Sequence, residues 1–133
     1  MTLTQPRFQV VPSGNYSPLI SSLVAMLEHS RESVLDSVAG LSVAALDHQH
    51  DEKANPIGAM LAHMAALEWY YNAVSIDGAQ PSGQDWAEWG AFLRLTPATW
   101  VAARGRTLEE HVERLQRVRT RTLSGLASKD DAW

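Results

Sequence analysis

The sequence contains no cysteine. That excludes disulfides, thiolate metal sites and cysteine nucleophiles together, and it leaves no redox argument for an oxidising compartment. No apolar run approaches the roughly 20 residues that a membrane-spanning helix needs, so no membrane partner is expected. The opening, MTLTQPRFQVVPSGNYSP, lacks a basic stretch followed by a long apolar one; it reads as no signal peptide, and a cytoplasmic protein is the default expectation. An excess of positive charge is missing too. The net charge of −4 leaves nothing to draw the whole chain to nucleic acid, so no nucleic-acid partner is expected. There is no Gly-rich phosphate loop, no serine nucleophile elbow and no paired acidic dyad.

What remains is an ordinary globular composition. The 133 residues are 45% hydrophobic and 20% charged, which fits one domain over 1–133 with a real core. Residues 1–17 read as an extended lead-in, with a β-prone FQVVP and a turn at SGNYSP. Pro18 then suits a first helical position. Leu19, Leu23, Met26, Leu27, Val34 and Val38 recur at three- and four-residue steps, which predicts a helix over 18–39 ended by Gly40. LSVAALDHQHDEKA connects it to a second helix over 56–75, capped by Asn55 and apolar on nearly every side, hence buried on several. A crossover of about thirty residues follows, with one short helix expected over 85–95. Thr107 and Glu110 form a capping box for a third long helix over 107–127, whose inner face is Leu108, Val112, Leu115, Val118, Thr122 and Leu126. So long a crossover lets the second and third helices run parallel, and the pattern is that of an up-down-down-up bundle.

The chemically interesting side chains are few. His63 sits at the margin of the second helix's apolar stripe, where an imidazole is either a metal ligand or a half-buried residue bonded to a carbonyl or carboxylate. Glu68 lies on the apolar face itself and must be paired, ligate a cation or titrate upward. It either orients a ligand histidine or meets an arginine from the third helix. His48 and His50 share a polar loop with Asp47, Asp51 and Glu52, which reads as solvated. His111 reads as an edge residue of the third helix. The arginines at 104, 106, 114, 117, 119 and 121 interleave with glutamates and read as a solvated face with Glu110–Arg114 and Glu113–Arg117 pairs. Trp86 and Trp89 read as a cap on the open end of the bundle.

Two stretches carry a resemblance. LVAMLEHSRESVLDSVAGLSVAALD resembles the first helix and exit of the DinB/YfiT-like superfamily of bacterial four-helix bundles, and NPIGAMLAHMAALEWYY looks like that family's second helix with its histidine. The tryptophan-bearing crossover and TLEEHVERLQRVRTRTL are similar as well, so the likeness spans about residues 16–133. The resemblance implies an all-α bundle with three long helices visible here and a fourth, C-terminal helix absent. It implies a divalent metal, zinc or nickel, with His63 as one ligand, Glu68 a candidate for orienting it, and the other two ligands expected from the absent helix. It also implies a thiol-dependent transferase or a hydrolase using a low-molecular-weight thiol or another small-molecule substrate, with a non-catalytic, dimerising or stress-linked bundle as the alternative. A homodimer is implied in either case. The catalytic residues stay unknown.

Overall fold

The computed structural model describes residues 14–133. The FQVVP lead-in lies outside the described residues. Among them every regular element is helical: α1 (Pro18–Val38), α2 (Val43–Asp47), α3 (Ile57–Tyr71), α4 (Gly83–Trp89), α5 (Pro97–Ala103) and α6 (Leu108–Ala127). No helix among the described residues is long and apolar enough to cross a membrane.

The three long helices lie close to where their periodicity puts them. Pro18 opens α1, and Gly40, at φ 76°, carries the chain out of it in a conformation that L side chains rarely adopt. Thr107 accepts from the backbone N–H of Glu110 at 3.2 Å while Glu110 accepts from that of Thr107 at 2.7 Å, the expected capping box of α6.

Asn55 does not cap α3. Its side-chain oxygen accepts instead from the indole N–H of Trp100 at 2.8 Å, which ties α5 to the entry of α3, and the capping position passes to Pro56. At its far end α3 widens into a π-helical turn over Asn72–Ile76. The crossover holds two helices rather than one. α4 runs into a 3-10 turn at Gly90–Phe92, and α5 follows after Thr96, whose N–H donates to Thr99 Oγ1 at 3.3 Å.

Pairwise contacts fix the helix directions. Along α3 and α6, Gly58 faces His111, Glu68 meets Arg119 and Thr122, and Gly125 sits against Ile76, so residue numbers rise together and the helices are parallel. Between α1 and α6 they run opposite: Arg31 donates to the Leu115 carbonyl, the Leu27 carbonyl accepts from Arg119, and the Leu19 N–H donates to Asp131 at 3.0 Å. The chain therefore follows an up-down-down path. Ala59, Ala62, Ala65 and Ala66 give α3 a narrow surface, and Leu46, Leu115, Trp69 and Trp89 fill the space around it. Trp69 and Trp89 stack with ring centroids 6.0 Å apart. Trp89 is thus core, while Trp86 stays 41% exposed and meets Trp69 edge-on.

Close approach of α6 to the π-helical turn depends on Gly125, where an added Cβ would lie 2.5 Å from Ile76 Cγ2. Gly125→Ala gains roughly 1 kcal/mol of helix propensity but forces the two elements apart, at roughly 1–3 kcal/mol. Chemical denaturation is expected to show net destabilisation of up to about 2 kcal/mol, whereas an uncompensated propensity gain would stabilise the protein.

Candidate functional site

His63 projects from α3 towards the 3-10 turn, where its Nδ1 lies 2.8 Å from the Phe92 carbonyl oxygen. A carbonyl only accepts, so Nδ1 carries the proton. In the neutral ring Nε2 is then left with the lone pair. This is the state in which a backbone carbonyl holds a ligand imidazole, with the other nitrogen presented for coordination. The two possibilities for His63 are thus compatible at one nitrogen: the carbonyl-bonded histidine is present, and Nε2 keeps its ligand character. Among the described residues, no group of three or more His, Asp or Glu is arranged to hold a metal ion.

Glu68 resolves towards the arginine partner. Five residues along a helix of 3.6 residues per turn place it about 140° around α3 from His63. Its Oε1 accepts from Arg119 Nε at 2.7 Å and from Thr122 Oγ1 at 2.6 Å, and its Oε2 accepts from Arg31 Nη2 at 2.6 Å and Arg119 Nη2 at 3.2 Å. Arg31 comes from α1, Arg119 and Thr122 from α6. Arg31 also donates to the Leu115 carbonyl at 3.0 Å, and Arg119 to the Leu27 carbonyl at 3.2 Å and to Glu28. Burial pushes the Glu68 carboxyl up. Hydrogen bonds from Arg119 and Thr122 and the charges of Arg119 and Arg31 outweigh it, holding the group below its ordinary value.

Beside this cluster a groove of about 550 Å³ opens between α1, α3 and α6. Leu23, Met26, Leu27, Tyr71, Ile76 and Leu126 supply most of its wall. Leu19, Leu23 and Met26 of α1 are each more than half exposed. The groove reaches Glu68 and not the ring of His63.

His111 is not an edge residue. It is 1% exposed, pressed against Gly58, where an added Cβ would lie 3.1 Å from its Nε2. Neither ring nitrogen has a hydrogen-bond partner among the described residues. Burial, then the positive charges of Arg106 and Arg114, hold its pKa below the ordinary value, so the ring is neutral. His48 and His50 are exposed, in a loop held by Asp51 Oδ1, which accepts from the N–H groups of Lys53 and Ala54 at 2.8 and 2.9 Å.

The arginines of α6 divide by direction. Arg119 turns into the core, Arg121 reaches Asp77, and Arg114 and Arg117 turn towards α4. The predicted Glu110–Arg114 and Glu113–Arg117 pairs are not among the ion pairs of the described residues, because Glu110 is taken up by the cap and Glu88 attracts both arginines. Two inward residues, Arg119 and His111, escaped the sequence reading although a signal existed: each lies four residues from Leu115 on the buried stripe.

The two lowered pKa values set a pH dependence. The unfolded chain binds protons more readily at both groups, so stability rises with pH. It is complete above the ordinary imidazole value of 6.5 and falls as pH drops, first through His111 and then, below the ordinary carboxyl value of 4.5, through Glu68. Denaturation midpoints measured against pH are expected to decline below about 6.5 in the native protein. His111→Leu is expected to flatten the upper limb and keep the lower one; an unchanged profile would contradict the assignment.

The comparisons agree with this architecture. No curated protein matches the chain. A family model described as the DinB superfamily matches residues 26–133, a span from the third turn of α1 through α6. The chain therefore belongs to the DinB superfamily.

Proposed function

We propose that this DinB-superfamily chain is a divalent-metal-dependent enzyme of the thiol-dependent transferase or hydrolase type, with His63 as one ligand of a zinc or nickel ion. The observation that supports it is the hydrogen bond between His63 Nδ1 and the Phe92 carbonyl, 2.8 Å, which orients the ring and keeps Nε2 as the nitrogen free to coordinate. The described residues fit one ligand position and do not form a centre by themselves, since no three candidate donors among them converge. The remaining donors would come from outside the described residues, and no reaction step is assigned to the ones present. When bound, a divalent metal with an open position lowers the pKa of a coordinated water or thiol. The chain's own contribution is positioning: α3 carries the imidazole, and the buried Phe92 anchors the turn that holds it. Glu68 contributes by holding the helices, its oxygens being taken up by Arg31, Arg119 and Thr122.

A second reading has its own support. Leu19, Leu23, Met26 and Leu27 expose an apolar stripe on α1 beside the groove, which favours a non-catalytic bundle that pairs with a second copy. One preparation separates the two. Natural full-length protein purified without chelators is expected to contain about one zinc or nickel per chain by elemental analysis, and His63→Ala to contain almost none while keeping its helical circular dichroism. Absence of metal in the native protein would remove the enzyme reading, and a dimeric mass by light scattering, abolished in Leu23→Glu, would then support the other.

A further inference from the structure

A second crevice lies on the opposite flank of α6, against α4 and the 3-10 turn, and encloses about 200 Å³. Its lining is Glu88, Arg106, Glu110, Glu113, Arg114 and Arg117. Behind it stands an aromatic wall. The Arg114 guanidinium carbon lies 4.3 Å from the Trp89 ring centroid and 5.1 Å from that of Phe92. Arg106 lies 5.4 Å from Phe92, and Arg117 5.0 Å from Trp89. A guanidinium laid on a buried ring is held by its face and keeps its edge for planar acceptors, the geometry in which arginine recognises carboxylate and phosphate.

The charges in this crevice are unequally satisfied. Arg117 is bonded to Glu88, and Glu110 closes the cap of α6. Arg114 stands 4.0 Å from Glu88, an ion pair beyond hydrogen-bond reach, and its Nε and Nη2 are buried without a hydrogen-bond partner among the described residues. Arg106 has no carboxylate partner among the described residues, and Glu113 no cationic one. Arg106, without a carboxylate, and Arg114, held only loosely by Glu88, thus stand together beside the unpaired Glu113. Mutual repulsion is visible in Arg114, whose pKa is held below the ordinary value by burial and then by the charge of Arg106. An anion would relieve both costs.

We propose that the crevice between α4 and α6 is a binding site for a small molecule bearing a single oxyanion group, a carboxylate or a phosphate, with Arg106 and Arg114 as its guanidinium donors. The volume admits a group of a few heavy atoms and not a chain. The lining carries three positive and three negative charges, so it has no net excess to draw a polyanion, and a single anionic group would be held by Arg106 and Arg114 alone. The site is independent of any metal at His63. The two share only Phe92, whose ring carries the arginines and whose carbonyl holds the imidazole.

The test is calorimetric titration of the full chain with sodium acetate and with sodium phosphate, ionic strength being held constant with sodium chloride. At least one anion is expected to bind saturably, one per chain. Arg106→Ala leaves no carboxylate unpaired, so it is expected to keep the native melting temperature while weakening binding roughly tenfold or more. Glu113→Gln is expected to tighten it several-fold. No saturable binding of either anion, or equal binding by Arg106→Ala, overturns the proposal. So does tight, steeply salt-dependent binding of a single-stranded oligonucleotide at this face without binding of the small anions, which would make it a polyanion surface.

Discussion

The Glu68 carboxylate holds the long helices in one arrangement. It stands on α3, and its oxygens are taken up by Arg31 from α1 and by Arg119 and Thr122 from α6. Burying such a charge costs several kcal/mol, and only near-complete hydrogen bonding offsets the cost. Here each oxygen has at least two donors, and each arginine spends further N–H groups on backbone carbonyls of a neighbouring helix, Leu115 for Arg31 and Leu27 for Arg119. An apolar trio in the same place would pack as well or better in energy, but would not specify register. The directional bonds do specify it: α1 cannot slide by a turn against α6 without breaking both carbonyl contacts.

Parallel α3 and α6 follow from that register, and they oblige the chain to travel the length of the bundle between them. The crossover uses the journey. Trp89 and Phe92 sink into the core against Trp69, and the turn between them offers a carbonyl to His63 on one side and ring faces to Arg106 and Arg114 on the other. A single aromatic turn therefore positions both groups of chemical interest. At the start of the π-helical turn that ends α3, the Asn72 side-chain amide donates to the Val118 carbonyl of α6 at 3.2 Å.

Much of this was legible in the sequence where local rules govern. The apolar repeat of residues 19–38, the Thr107–Glu110 capping box and Gly40 located their elements to within a residue or so. His63 and Glu68 stood out because a polar side chain on so apolar a helix needs a reason. The kind of partner was legible, a carbonyl for His63 and an arginine of the third helix for Glu68, but not which residue would supply it. The acceptor for His63 is a backbone carbonyl 29 residues away, and backbone carbonyls leave no residue-specific mark. Asn55 looked like a cap but found the Trp100 indole instead, a contact across 45 residues. The i, i+4 pairs on α6 failed for an energetic reason: such pairs contribute only about 0.2–0.5 kcal/mol, less than a guanidinium gains on a buried aromatic ring. α5 was missed because its cap is a threonine pair, Thr96 and Thr99, rather than the usual Ser/Thr with Glu.

The account rests on Glu68 joining α1 to a pair of helices that already hold each other. Native-state hydrogen exchange on Arg31→Met measures this most directly. The substitution removes the only Glu68 donor contributed by α1 among the described residues, and leaves Arg119 and Thr122 on the carboxylate. Amides of α1 are expected to exchange at least tenfold faster, while those of α3 and α6 keep their protection. Equal loss of protection in all three helices, or none in α1, would contradict the claim that this carboxylate is what holds the first helix to the rest.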